Sequence, residues 1–472
     1  MIVPIPHELA TVIGTLPELG QAYLVGGCVR DALLGVPVKD YDVEVFGVSY
    51  EQLAAALERH GRVDLVGRSF GVVKFTMPGG RTFDFSLPRR DSKIRSGHKG
   101  FRIATDPGMT PADAAARRDF TINALMFDPR RNEVLDFFSG RRDLDERVLR
   151  HTSPAFAEDP LRVLRGMQLA ARLDLRPAPE TVALCRTIKG ACGELAAERV
   201  REEWFKWASQ SVRPSVGLRL LEATEWLGHF PEIDALRGTP QDPEWHPEGD
   251  VFTHTCHCLD ALVQLAEWRA ADPQTRIVYS LAVLGHDFGK PQTTQSVFRE
   301  GRWRVVSPGH EDAGGPVVEA FLARFRAPEA IRRRVVPLVT NHMAHLQTAT
   351  DRSVRRLARR LEPETIQTLS VVITADAFGR PPRPWETPSG LRALREKAAQ
   401  LELQESAPKP ILKGRHLCAL GVPQGKAMGS LLAAAFEAQL EGRFADLEGA
   451  RQWARDEVLR ASPDRSQASR DI

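Results

Sequence analysis

Asp40 and Asp42, separated only by Tyr41, are the first residues in the chain whose types and spacing could do chemistry. Alternate residues of a strand share a face. If the alternating run Tyr41–Phe46 is a strand entered from Asp40, the two carboxylates point one way and Tyr41 the other. Such a pair suits Mg²⁺, which takes carboxylates together with substrate phosphates, and paired ions suit in-line phosphoryl transfer. Just upstream, the strand-like Ala22–Val25 runs into Gly26-Gly27, and a helix is predicted from near Val29. Glycine lets backbone N–H groups approach a phosphate, and a helix N-terminus adds partial positive charge. Arg30, in the first helical turn, can reach a triphosphate. Strand, Gly-Gly, helix and acidic pair together read as a nucleotidyl-transfer site with Asp40 and Asp42 as its catalytic residues.

A second dense motif is Arg117-Arg118-Asp119-Phe120-Thr121-Ile122-Asn123-Ala124-Leu125, followed by Asp136–Gly140 and then Glu158-Asp159-Pro160-Leu161-Arg162, with Arg165 one turn later. Pro160 suits an early helix position, and Asp159 and Arg162, three apart, are predicted to share one helix face. A carboxylate accepts hydrogen bonds and a guanidinium donates them. Cytosine and adenine each offer an amino donor beside a ring acceptor, whereas guanine and uracil offer the reverse. A fixed Asp159/Arg162 pair would therefore favour CTP and ATP, because the other nucleotides leave buried polar groups unpaired.

The C-terminal half carries a different set: His254, His286-Asp287 followed by Lys290, His310, His342 and Asp376. Imidazole and carboxylate together suit Mn²⁺, Ni²⁺, Fe²⁺ or Zn²⁺. His257 and His345 read as bystanders.

The elements that must position these residues change character along the 472-residue chain. Up to about Pro160 short strands and helices mix; Val72–Met77 and Thr82–Leu87 read as a hairpin closed by Pro78-Gly79-Gly80. Beyond it helical periodicity dominates, over Leu161–Leu173, Glu180–Ile188, Glu198–Ser209 and Val216–Leu227, and strand signals nearly vanish. The segments Arg237–Asp250 and Gly379–Gly390, rich in Pro and Gly, read as linkers, and the last dozen residues as a frayed polar end. The expected class is α+β, with domains at 1–148, 149–237, 249–378 and 391–462. A net charge of +3 from 64 basic and 61 acidic side chains does not announce a nucleic-acid binder, but clusters such as Arg332-Arg333-Arg334 permit one. No apolar run reaches the roughly 20 residues a membrane span needs, and no secretory signal is seen at the N-terminus. The six cysteines form no CxxC pair, and a cytoplasmic protein with reduced thiols is expected.

The successive motifs LVGGCVRDALLG…DYD, RRDFTINAL, DFFSGRRDL, EDPLRVLR and AERVREEW resemble, in order and rough spacing, those of class II tRNA nucleotidyltransferases across residues ~22 to ~210. The resemblance implies a palm-like head followed by helical neck, body and tail, with tRNA, CTP and ATP as partners and Mg²⁺ as cofactor. Carried over by position, Asp40 and Asp42 would hold the metal, and Gly26, Gly27 and Arg30 the triphosphate. Arg117, Arg118, Asp119 and Asn123 would bind nucleotide and order the site. Asp159 and Arg162 would select the base with Glu158 and Arg165 in support, and Arg199 and Glu203 would brace that helix. Within the family the product is CCA, CC or A alone. The long polar stretch Arg89–Arg117 looks like the loop that CC-only members lack, which leaves CCA and A-only addition open. The later pattern H…HD…H…H…D resembles HD-superfamily phosphohydrolases. That likeness implies His254, His286, Asp287 and Asp376 as ligands of one metal, His310 and His342 as completing a second site, and Lys290 as a phosphate contact. With it come phosphatase and 2′,3′-cyclic phosphodiesterase activity. A rival reading makes the head a non-catalytic RNA-binding module on an HD phosphohydrolase. Monomer and homodimer both remain open.

Overall fold

Alternation of apolar and polar residues builds the sheet that carries the first site. In the computed structural model, which describes residues 3–64, 71–93 and 101–460, the head contains strands β1 (Ala22–Val25), β2 (Asp42–Val45), β3 (Arg62–Asp64), β4 (Val72–Thr76) and β5 (Thr82–Ser86). They lie in the order β3-β4-β5-β2-β1, and Met126–Asp128 and Glu133–Leu135 complete a seven-stranded sheet beyond β1. Strands β2 and β5 run parallel and the other neighbours antiparallel. On one face Val43, Val45, Phe75, Phe83 and Phe85 join Leu53, Ala56 and Leu57 of the helix Tyr50–Glu58 in a dry core. The period of two then turns Asp42, Glu44, Asp84 and Ser86 to the opposite face. The class is α+β, as the pattern of elements predicts.

Several expectations shift at element ends. The helix after Gly26 starts at Gly27 rather than near Val29, because Gly26 takes φ +74° and turns the chain directly into it. The strand after it starts at Asp42, so Asp40 lies in the extended approach and not in the ladder. The run Val216–Leu227 is two elements, a helix Pro214–Ala223 and a 3₁₀ turn Trp226–His229, broken at Glu225, whose φ is +63°. The polar stretch Arg89–Arg117 is not all loop. Arg89–Lys93 pairs antiparallel with Phe101–Thr105, and Thr110 caps a helix Pro111–Ala116. Residues 94–100 of that stretch, and the chain end expected to fray, lie outside the described residues.

The chain forms two compact units, Met1–Pro231 and Glu232–Ile472. In the second, helix Val251–Leu262, capped by Asp250, packs on Pro273–Gly285 and Ile366–Phe378, and His310–Arg324 packs on Glu329–Thr340. A β-hairpin, Gln295–Arg299 with Arg302–Val306, interrupts the helices. The expectation of almost no strand signal missed it, since exposed arginines occupy positions where an apolar alternation would have shown. Toward the C-terminus Leu417, Met428, Phe444, Ala450 and Ala454 form a small core of their own.

Candidate active sites

The residues singled out in the N-terminal half converge on one cleft of about 700 Å³. Gly26, Gly27, Arg30, Asp42, Arg117, Arg118, Asp119, Asn123, Asp159, Arg162 and Arg165 all line it. Asp40 does not line it but stands exposed beside it, close enough for its charge to act on Asp42. Between them Tyr41 is buried, donating its hydroxyl to the Pro4 carbonyl at 2.8 Å, which anchors the acidic pair from behind. Loss of water raises the Asp42 pKa. The Arg118 charge opposes that rise, and the carboxylates of Asp84, Asp40 and Glu44 add to it. A carboxylate at a cleft whose charged form is opposed by three neighbouring carboxylates is a site that a hard divalent cation would satisfy.

Arg118, Arg30 and Asp119 are each tied down. Arg118 donates to Glu44 at 3.0 Å and lies over Gly26, where the φ of +74° calls for glycine. Arg30 is buried, donating to Asp31 at 2.6 and 2.8 Å and to Asn123 at 2.5 Å. Asn123 in turn donates to Asp119 at 3.1 Å. Burial would raise the Asp119 pKa, but Arg165 at 2.7 Å, Asn123 and the Phe120 N–H hold it below the usual carboxylate range. The RRDFTIN motif is thus a single hydrogen-bonded piece that ties the phosphate turn to the helix Leu161–Leu173.

The pair expected to select the base departs from the expected geometry. Asp159 does not sit on the helix face with Arg162; it precedes the helix, accepts the Leu161 N–H at 3.1 Å and pairs with Arg199 at 2.8 Å. Arg162 donates to the carbonyls of Ala155 at 2.8 Å and Arg117 at 2.7 Å. The two side chains are held separately, each by its own partners, and both face the cleft. Glu158 takes Arg117 at 3.3 Å, and buried Glu203 takes Lys206 at 2.9 Å.

In the C-terminal unit a second cleft, about 1120 Å³, contains Asp287, Lys290, His310, His342 and Asp376. Three imidazoles are aimed by one device: His286, His310 and His342 each place Nδ1 2.7–2.8 Å from the carbonyl three residues upstream. A carbonyl only accepts, so Nδ1 carries the proton and each Nε2 presents a lone pair. The Nε2 atoms of His310 and His342 face each other at 3.2 Å, and that of His286 is buried without a hydrogen-bond partner. Two bare acceptors at that distance repel, so the contact calls for a proton or a metal ion between them. Burial, reinforced by His286, pushes the His342 pKa down to about 3, so its ring stays neutral. Asp287 joins two groups: its Oδ2 lies 3.2 Å from His286 and 3.8 Å from His254, its Oδ1 3.4 Å from His310 and 3.9 Å from His342. Asp376 Oδ1 is 3.1 Å from His254 Nε2. His254, His286 and Asp376 can thus hold one ion, His310 and His342 a second, with Asp287 between them. Lys290 reaches Asp287 at 2.8 Å. His345, read as a bystander, lines the cleft with its Nδ1 3.2 Å from the His342 carbonyl, whereas His257 belongs to no metal-ligating group among the described residues.

Residues 22–150 match the Poly A polymerase head domain family. A Multifunctional CCA protein of Xanthomonas campestris pv. campestris (strain B100) is 36% identical over 429 residues, covering 88% of this chain and 97% of the relative. The chain belongs to the multifunctional CCA protein family. A Multifunctional CCA protein of Methylococcus capsulatus is 37% identical over 398 residues, covering 81% and 88%. Among solved structures, the Bacillus stearothermophilus CCA-adding enzyme in complex with CTP has the same fold at a TM-score of 0.63 and 20% identity, covering 97% of this chain and 99% of that one. The Thermotoga maritima CCA-adding enzyme complexed with tRNA gives 0.60 at 18% identity, covering 96% of each. The chain also has residues at or beside the two clefts that the sequence motifs did not single out. Asp84 stands in register beside Asp42 on the parallel neighbour, a position that the alternation TFDFS encodes. Arg172 lies two turns beyond Arg165 on the same helix face and lines the cleft. Cys258, one turn after His254, puts its sulfur 3.3 Å from the His254 Nε2.

Proposed function

We propose that the chain adds C, C and A in turn to the 3′ end of tRNA, without a nucleic-acid template, using CTP and ATP and releasing pyrophosphate. The observation that carries this reading is that Asp42, the Gly26-Gly27 turn, Arg30 and the pair Asp159/Arg162 line one cleft. Mg²⁺ held by Asp40 and Asp42, with Asp84 alongside, would lower the repulsion between the attacking 3′ oxygen and the α-phosphate. The Gly27 N–H at the start of the helix, with Arg30, holds the triphosphate, while the Gly26 N–H is taken by the Leu125 carbonyl. Asp119 and Asn123 keep Arg30 and Arg165 in place, and Arg117 and Arg118 add positive charge at the rim. Asp159 accepts from the amino group of cytosine or adenine while Arg162 donates to the ring nitrogen beside it, and Arg199 fixes Asp159. Catalysis rests on positioning and on charge stabilisation, and needs no covalent enzyme intermediate.

Three tRNA transcripts, ending before CCA, after C and after CC, test this at single-nucleotide resolution with CTP and ATP singly and together. Completion of all three to CCA is expected. Extension of only the CC-ended transcript, by one A, would make the chain an A-adding enzyme; no extension of any would discard the transferase reading.

The C-terminal unit, in this proposal, is a phosphohydrolase using Mn²⁺, Ni²⁺, Fe²⁺ or Zn²⁺, acting as phosphatase and 2′,3′-cyclic phosphodiesterase of a cytoplasmic enzyme. The facing lone pairs of His310 and His342 support it. Metal-stripped protein titrated with each ion should melt higher, by the equivalent of about 2.7 kcal/mol at a hundredfold excess over Kd. His342→Ala should reduce the gain. A melting temperature indifferent to all four ions would remove the metal centre from the account.

A further inference from the structure

Both segments that read as linkers are walls of the C-terminal cleft. Arg237–Asp250 contributes Trp245, and Gly379–Gly390 contributes Arg383. Trp245 is 53% exposed, and the Arg383 guanidinium lies 5.3 Å from its ring centroid. The loop beneath it is clamped: Arg304 of the hairpin binds Asp242 at 3.2 Å and also Glu244, Arg302 binds Glu244, and Arg383 donates to the Glu244 carbonyl. Several charged contacts thus fix a loop whose indole is left open to solvent at the edge of the cleft that holds Asp287, His310 and His342. Of the exposed tryptophans Trp245, Trp303 and Trp385, only Trp245 lines this cleft. A rigid aromatic face backed by an arginine is the surface on which a nucleobase stacks. At about 1120 Å³ the cleft exceeds what one phosphate group needs and takes a nucleotide.

We propose that Trp245, with Arg383, is a nucleobase-stacking subsite, so that the metal centre acts on phosphate carried by a nucleoside in preference to other phosphate esters. This rests on the phosphohydrolase reading above and adds its specificity-determining residue. In the full-length protein loaded with its best activating metal, phosphate release is measured from cytidine 3′-monophosphate and from glycerol 2-phosphate, which has no ring to stack. Trp245→Ala should lower kcat/KM on the nucleotide by roughly 5- to 150-fold, the range of base–aromatic stacking, mostly through KM. Glycerol 2-phosphate kinetics should be unchanged, and Trp245→Phe should restore most of the nucleotide activity. Equal loss on both substrates, or no loss on either, overturns the proposal. If the wild-type protein hydrolyses neither, the phosphohydrolase reading has failed. The subsite is then decided by calorimetric titration of wild type and Trp245→Ala with the same nucleotide, where equal affinities overturn it and a weakened variant upholds it.

Discussion

An Asp42→Ala chain should fold with an unchanged or higher melting temperature and yet extend no tRNA transcript. Asp42 is not a structural residue: loss of water at the cleft and the neighbouring Asp84, Asp40 and Glu44 make its charged form less favourable. Removing it relieves that repulsion, so stability is preserved or gains a few tenths of a kcal/mol, as surface changes do. Activity should fall by about 10³-fold or more, because the metal's charge stabilisation at the transferring phosphoryl group, several kcal/mol, goes with it. Single-turnover CMP incorporation alongside thermal melting checks both halves. Appreciable activity in the variant would take Asp42 out of the catalytic role, and a collapsed melting temperature would make it a structural residue instead.

The second large effect concerns choice rather than rate. Asp159→Ala should erode discrimination between CTP and UTP, read as the ratio of their kcat/KM values. The loss approaches about 10⁴-fold if the whole preference rests on leaving a wrong base's polar groups unpaired. Arg162 is equipped for its half of the reading: two of its N–H groups go to the Ala155 and Arg117 carbonyls, which leaves others of the guanidinium's five donors for a base. Asp159→Ala also removes the partly exposed ion pair with Arg199, worth about 0–1 kcal/mol, and the acceptor of the Leu161 N–H, so any loss of stability should stay within about 2 kcal/mol. An unaltered CTP/UTP ratio would refute the assignment of Asp159 as base reader.

What could be read in the sequence was local chemistry. Gly-Gly before a helix, an acidic pair around a tyrosine and histidines among helices all report through residue type and short spacing. The partner choices could not be read, because they depend on which elements meet. Spacing alone suggested Asp159 and Arg162 on one helix face; the fold gives Asp159 to Arg199, forty residues on, and Arg162 to two backbone carbonyls. Asp84 was passed over because its meaning lies in the parallel register with Asp42. The linker reading of Arg237–Asp250 and Gly379–Gly390 gave no sign that both segments also wall a cleft, for a related reason. Proline and glycine mark irregular backbone, and irregular backbone at a cleft wall looks the same in sequence as irregular backbone between domains.

The aiming of His286, His310 and His342 by their own upstream carbonyls has a consequence for how the centre fails. Two of these rings stand where helices end, just past Gly285 and Thr340, and the third opens the helix His310–Arg324. Each ring's direction is therefore a property of one short stretch of chain, not of the assembled cluster. Damage to one turn withdraws one donor and leaves the others oriented. The centre should degrade stepwise, as a tool rack loses single hooks, and partial donor sets should remain competent to capture an ion more weakly.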